Sequence, residues 1–165
     1  TVYITDRLEN QGFAPAPLMM LYHCNFGYPL VDAGARLEAV NHEVLPKDAV
    51  AAAGISDWAK MEAPQPNYAE QVLIHRIPAD ADGFARMALV NPAAKLKLTM
   101  AYDTRTLPLL NQWKQMGQGE YVIGLEPGNC VPTGQSDNEK RGLLRMIAPG
   151  EVVEFNLRIG VEELA

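Results

Sequence analysis

The sequence predicts an all-β protein, a large antiparallel sandwich with at most one or two short helices, and three observations carry that prediction. Apolar residues fall in short runs that alternate with polar neighbours, most clearly Val153, Phe155, Leu157, Ile159 and Val161 near the C-terminus. Turn signals separate the runs: Asn10-Gln11-Gly12, Asp80 to Gly83, Gly117-Gln118-Gly119 and Pro149-Gly150. Only Lys47 to Ala63 has helical character, being alanine-rich until Gly54 interrupts it.

Taken in order, Thr1 to Leu8 alternates Val2, Ile4 and Leu8 with polar positions and reads as a strand. Leu18 to Asn25 reads as one mostly buried strand carrying His23, ended by Gly27-Tyr28-Pro29, and Val31 to Ala35 as a loop. Leu37 to Leu45 reads as a short strand, and Ser56-Asp57-Trp58 as the start of one further helical turn. Glu70 to Ile77 follows as a strand, then Phe84 to Val90 and Leu96 to Tyr102 as a hairpin joined through Asn91-Pro92. Leu107 to Met116 is ambiguous: Leu109, Leu110, Trp113 and Met116 fit helical spacing, yet an antiparallel context makes the stretch a strand. Tyr121 to Leu125 and Val152 to Val161 complete a set of about nine strands, with Gln135 to Lys140 as a polar loop.

At 165 residues the chain suits one domain with a sizeable core. A net charge of −6 with no basic run argues against nucleic acid, whose phosphates call for Lys and Arg in excess. The longest apolar runs are too short to span a bilayer, and the opening Thr-Val-Tyr-Ile-Thr-Asp has no apolar signal-peptide core. No initiator Met stands at the start, so a fragment or processed chain is one reading. Cys24 and Cys130 read as reduced, buried thiols of a cytoplasmic protein, and no C-x-x-C or H-E-x-x-H spacing marks a metal site.

Two stretches carry acid–base chemistry. In Gly124-Leu125-Glu126-Pro127-Gly128-Asn129-Cys130, a carboxylate follows an apolar run. Pro127 lacks an N–H and is expected to end the ladder there, leaving Glu126 at a strand end beside a turn. In Tyr22-His23-Cys24-Asn25-Phe26-Gly27-Tyr28-Pro29, a histidine has the same setting. Taken alone, His23 reads as a hydrogen-bonded core histidine and Glu126 as an exposed turn residue; together they make an acid–base pair if they face each other.

Three landmarks, in order, resemble the aldose 1-epimerase (galactose mutarotase-like) superfamily, and within it the uncharacterised mutarotase-like branch. Leu21-Tyr22-His23-Cys24-Asn25-Phe26 is similar to the family's Asn-His-x-Tyr-Phe-Asn-Leu strand. Leu125-Glu126-Pro127 resembles its Leu-Glu-x-Gln/Pro segment, and Ile147-Ala148-Pro149-Gly150-Glu151 its Leu-x-Pro-Gly-Glu run. The resemblance covers residues 1–165 as one domain, corresponding to the C-terminal half of the family's domain. It implies a β-supersandwich that binds a small-molecule carbohydrate, needs no metal or organic cofactor, and uses Glu126 as general base and His23 as general acid. It also implies that part of the pocket comes from upstream of Thr1, or from a homo-oligomer partner. The sequence after Pro127 departs from the family's Pro-Asp-Ala pattern.

Asn25, Glu70, Gln71 and Asn129 are the expected sugar-binding residues beside that pair, and Trp113 is either a stacking platform for a sugar face or a core tryptophan. His75 reads as structural or surface, His42 as solvent-facing, and Arg141 as a surface residue or a contact to a phosphorylated or acidic sugar. The alternative to an isomerase is a non-catalytic carbohydrate-binding domain on the same scaffold.

Overall fold

Period-two alternation of apolar residues builds the first sheet of the computed structural model, which describes residues 1–164. Strand β1 (Val2–Glu9) lies at one edge and pairs antiparallel with the C-terminal strand, Ile4 opposite Leu157. β2 (Ala16–Leu18) and β3 (Cys24–Phe26) follow. The expected single strand from Leu18 to Asn25 is thus broken in two. The Asn129 side chain causes the break: its Nδ2 donates to Leu18 O (3.0 Å) and its Oδ1 accepts from Met20 N–H (2.7 Å), taking the place of a neighbouring strand.

β4 (Arg36–Glu38) and β5 (Glu43–Pro46) replace the one strand expected over Leu37 to Leu45, and they belong to different sheets. A bend at Val40 to His42 takes the chain across, held by His42 Nδ1 at 2.7 Å from Val40 O. The alanine-rich run forms α1 (Ala49–Ala53), capped by Asp48, whose carboxylate accepts from Ala51 N–H. One 3-10 turn over Ile55–Asp57 follows, as the Ser-Asp-Trp signal suggested.

β6 (Gln71–Arg76) leads to the hairpin β7 (Phe84–Asn91) and β8 (Leu96–Asp103), both near their expected limits. The ambiguous stretch is a strand, β9 (Leu109–Gly117), paired on both sides with β6 and β10 (Glu120–Gly128). Its helix-like spacing arises because both faces are covered, so apolar residues fall on each. Gln135 to Lys140, read as a loop, is helical: α2 (Gln135–Lys140), with the buried Asn138 side chain bridging both backbone groups of Val131. β11 (Arg145–Ile147), not foreseen, pairs with β2, and β12 (Val152–Glu163) closes the chain.

Two five-stranded antiparallel sheets result, ordered β1-β12-β8-β7-β4 and β3-β10-β9-β6-β5, with β2 and β11 as a small third. The core between them contains Met87, Leu89, Met100, Tyr102, Phe155 and Leu157 from the first sheet and Leu110, Met116, Ile123 and Leu125 from the second. None of the described helices is long and apolar enough to cross a membrane.

Pro127 does not end β10. It pairs with Leu110, and the ladder to β9 continues through Gly128. The Pro127 carbonyl accepts from Tyr22 N–H (3.0 Å), so its missing donor faces the Tyr22 side and costs the β9 ladder nothing. Beyond β10 the chain turns back over the outer face of the second sheet, where Val131 and Leu143 pack on Ile74 and Leu109.

Candidate active site

The register of β3 on β10 brings the two reactive side chains together. Cys24 lies opposite Leu125, and the isolated bridge puts Leu21 opposite Gly128, so the same register sets His23 opposite Glu126. Paired groups in an antiparallel ladder alternate, and the Tyr22–Pro127 hydrogen bond makes the His23–Glu126 pair the close, non-hydrogen-bonded kind. Their side chains therefore leave the same sheet face as near neighbours. His23 Nε2 stands 3.1 Å from Glu126 Oε1, with the histidine side chain 50% exposed and the carboxylate 4%.

That distance suits an ion pair, but the ring N–H is not aligned on the carboxylate, so Oε1 is a buried oxygen with no hydrogen-bond donor among the described residues. Burial pushes the Glu126 carboxyl above the usual carboxylate range, and a charge on His23 acts against that rise. The outcome is a carboxylate more basic than one in water. The same negative charge adds to burial in raising the nearby Cys24 thiol.

Trp113, opposite Gly124 on β9, forms the adjoining wall. Its ring meets His23 edge-on, centroids 5.8 Å apart, and its Nε1–H donates to Glu70 Oε2 at 2.7 Å. His23, Glu126, Glu70 and Trp113 line one cleft of about 290 Å³. Lys47 and Pro132 also line it and were not foreseen. Lys47 follows β5 and is anchored by its N–H to Val72 O, a placement visible only once β5 pairs with β6.

The remaining sequence-derived residues lie elsewhere. Asn25 is exposed on the same face, opposite Gly124, beside the cleft. Gln71 pairs with Lys114, whose side chain points into the protein, and packs against Gly54 rather than toward Trp113, because neighbours along a strand alternate faces. Asn129 is buried and spends its amide on Leu18 and Met20; it positions the segment that carries His23 rather than facing the cleft. Asn111, missed in the sequence, is buried directly opposite Glu126, and its Nδ2 donates to the Glu126 and Cys130 carbonyls. Cys24 and Cys130 are both free thiols.

Residues 1–161 match a family model described as a domain of unknown function, DUF4432. The chain belongs to the DUF4432 family. Solved structures similar to this DUF4432 chain include a candidate aldose 1-epimerase from Klebsiella pneumoniae, 28% identical, with a TM-score of 0.92 over 96% of this chain and 42% of that one. A galactose mutarotase related enzyme from Lactobacillus acidophilus (13% identical, TM-score 0.66) aligns over 99% of this chain and 59% of its own. A galactose mutarotase-like protein from Clostridium acetobutylicum (14% identical, TM-score 0.67) aligns over 98% and 52%. The resemblance read from the sequence is borne out in the fold, which is that of the galactose mutarotase-like proteins. This DUF4432 chain spans less than half the length of the Klebsiella protein. No protein of curated function matches it.

Proposed function

We propose that this chain is an aldose 1-epimerase-like isomerase that interconverts the anomers of a sugar or sugar derivative. The supporting observation is the cross-strand contact of His23 with a buried, donor-poor Glu126 beside an indole wall. Opening a pyranose hemiacetal requires the anomeric hydroxyl to lose a proton while the ring oxygen gains one. Glu126, made more basic by burial, takes the first proton. His23 delivers the second, imidazole being the side chain that exchanges protons near neutral pH. Rotation about C1–C2 and closure with the roles reversed yields the other anomer. Trp113 offers an apolar face for the sugar's axial C–H groups, and Glu70, held by Trp113, an acceptor for its hydroxyls.

The two groups touch instead of flanking a ring-wide gap, as a bound pyranose requires. His23 is half exposed and Glu126 is buried, so in this reading the histidine swings aside when the sugar enters. The chain spans 42% of the Klebsiella protein's length, and we assign the rest of the pocket to a further segment or a second copy. The two free thiols fit the cytoplasm as the compartment.

Saturation-transfer NMR on a panel of aldoses, comparing wild type with Glu126→Gln, tests this. Faster anomer exchange with the wild type only is the expected result. Equal exchange rates exclude the isomerase, and binding that survives the substitution without accelerated exchange identifies a carbohydrate-binding domain instead.

A further inference from the structure

A second cleft, of about 270 Å³, lies on the same face of the second sheet as the His23–Glu126 pair. The two are neighbours by register. Ile74 of the second cleft sits two residues along β6 from Val72 of the first, and Pro46 and Val131 adjoin Lys47 and Pro132. The row Leu45, Ile74, Asn111, Glu126 crosses the sheet from one cleft to the other. Two strand spacings and two residues separate Arg76 from Glu126, about 12 Å between their backbones.

The two clefts differ in charge. Glu126 and Glu70 line the first, whereas among the described residues no carboxylate lines the second. Its walls are apolar, Ile74, Leu109, Val131 and Leu143 among them, and its two charged residues are Arg76 on β6 and Arg141 at the end of α2. Each guanidinium is steadied by a carboxylate outside the cleft through Nε: Arg76 by Glu43 at 3.4 Å, Arg141 by Asp137 at 2.5 Å. Among the described residues, neither guanidinium makes a hydrogen bond through its Nη groups. The Nε contacts orient each fork and leave the Nη edges free for a planar or tetrahedral anion.

We infer that the candidate sugar cleft continues into an anion subsite, formed by Arg76 and Arg141 over an apolar floor, that takes a phosphate or carboxylate substituent of the sugar. This deepens the reading of His23 and Glu126 as the reacting pair and rests on it: the acidic end of the groove holds the anomeric centre and the basic end the charged substituent. The preferred substrate is then an anionic sugar, with the neutral parent aldose bound more weakly.

Binding and exchange are measured on the full chain with glucose, glucose 6-phosphate, glucuronate and inorganic phosphate. Amide and methyl NMR shifts of Val131 and Leu143 report the subsite without reference to catalysis. Glucose 6-phosphate or glucuronate is expected to bind about tenfold or more tighter than glucose and to shift those resonances, and the comparison of the two decides between phosphate and carboxylate. In the Arg76→Gln/Arg141→Gln double variant, the ratio of anionic to neutral affinity falls toward one. Arg141→Lys, which keeps the charge but not the fork, retains part of the preference. Both residues are exposed, so the folded state survives these changes. Equal binding of glucose and its anionic derivatives, or an undiminished preference in the double variant, overturns the subsite. Shifts at Val131 and Leu143 with no accelerated exchange of any sugar leave the subsite standing and overturn the isomerase instead.

Discussion

Gly124 leaves the Glu126 side chain the space that a methyl group would occupy. A Cβ on Gly124 would stand 2.6 Å from Glu126 Oε1, 3.2 Å from Trp113 Cβ and 3.3 Å from Asn25 Oδ1. The glycine lies on β10 opposite Trp113 and Asn25, so its missing side chain lets the carboxylate fold along the strand between the indole and β3.

Gly124→Ala is therefore expected to displace the carboxylate without unfolding the sheet, because the closest atom is the end of a flexible side chain. A displacement of around 1 Å at a reacting group costs up to about 100-fold in rate. Anomer-exchange kinetics together with a thermal melt provide the check. A variant with wild-type exchange would show that the carboxylate position seen here is not the reactive one.

Glu126→Gln is expected to stabilise the fold while abolishing exchange. Burial raises the Glu126 carboxyl above its unfolded value, so the native state holds its proton more tightly than the unfolded chain. The stability this provides is complete below the unfolded pKa and is lost as pH rises through the folded one, above which an ionised, donor-poor carboxylate is left. The contact to half-exposed His23 offsets little of that cost. A neutral amide removes it, for a gain of about 1 kcal/mol, or about 2–4 °C in Tm near pH 8. The gain shrinks in acid, and melts across pH 4 to 8 would reveal a constant offset if the carboxyl titrates normally.

Asn129→Ala tests the residue that breaks the Leu18 to Asn25 run. Losing the amide strands the Leu18 carbonyl and the Met20 N–H, at a cost of about 2–4 kcal/mol by urea denaturation. The segment it holds leads directly into His23, so exchange falls as well. Asn129→Asp keeps the acceptor for Met20 N–H and should recover part of the stability; no recovery would mean that the two bonds do not act separately.

The limits of β6, β7, β8 and β12 were legible because each strand alternates or is bounded by turn residues. The breaks between β2 and β3, and between β4 and β5, were not. They depend on partners far along the chain: Asn129 for Leu18 and Met20, and β6 and β7 for the two halves of Leu37 to Leu45. Local rules about proline misjudged Pro127, since whether a missing N–H matters depends on which neighbour it faces. At the site, the motifs pointed to His23 and Glu126, but their contact follows from register. Gln71 failed as a cleft residue by one position, the margin that decides which face of a sheet a side chain takes. Asn111 and Lys47 had no local signal at all.

His75 should make the protein acid-sensitive in a window where carboxylates do not. It is buried, with Nε2 at 2.8 Å from Gln112 Oε1 and Nδ1 at 2.9 Å from His42 Nε2. Gln112 donates its own amide N–H to Trp58 O, which fixes Oε1 as the acceptor and so places the His75 proton on Nε2. A neutral His75 then accepts at Nδ1 from His42 Nε2–H; because the Val40 carbonyl accepts only from a His42 Nδ1–H, both bonds form together only when His42 carries both ring protons. Burial lowers His75 to about 3, while unfolded histidine titrates near 6.5. Between those values the unfolded chain binds the extra proton, so stability is full above about pH 6.5 and declines as pH falls toward 3, by up to about 1.4 kcal/mol per pH unit. The carboxyls of Asp57, Asp103, Asp137 and Glu151 are held below their usual range, so their loss begins lower; the Glu126 carboxyl, raised by burial, slopes the opposite way and is common to wild type and variant. Urea denaturation between about pH 4.5 and 6.5 should show stability climbing more steeply with pH in the wild type than in His75→Gln, whatever the variant's overall stability. An equal slope in both would assign the acid sensitivity to other groups.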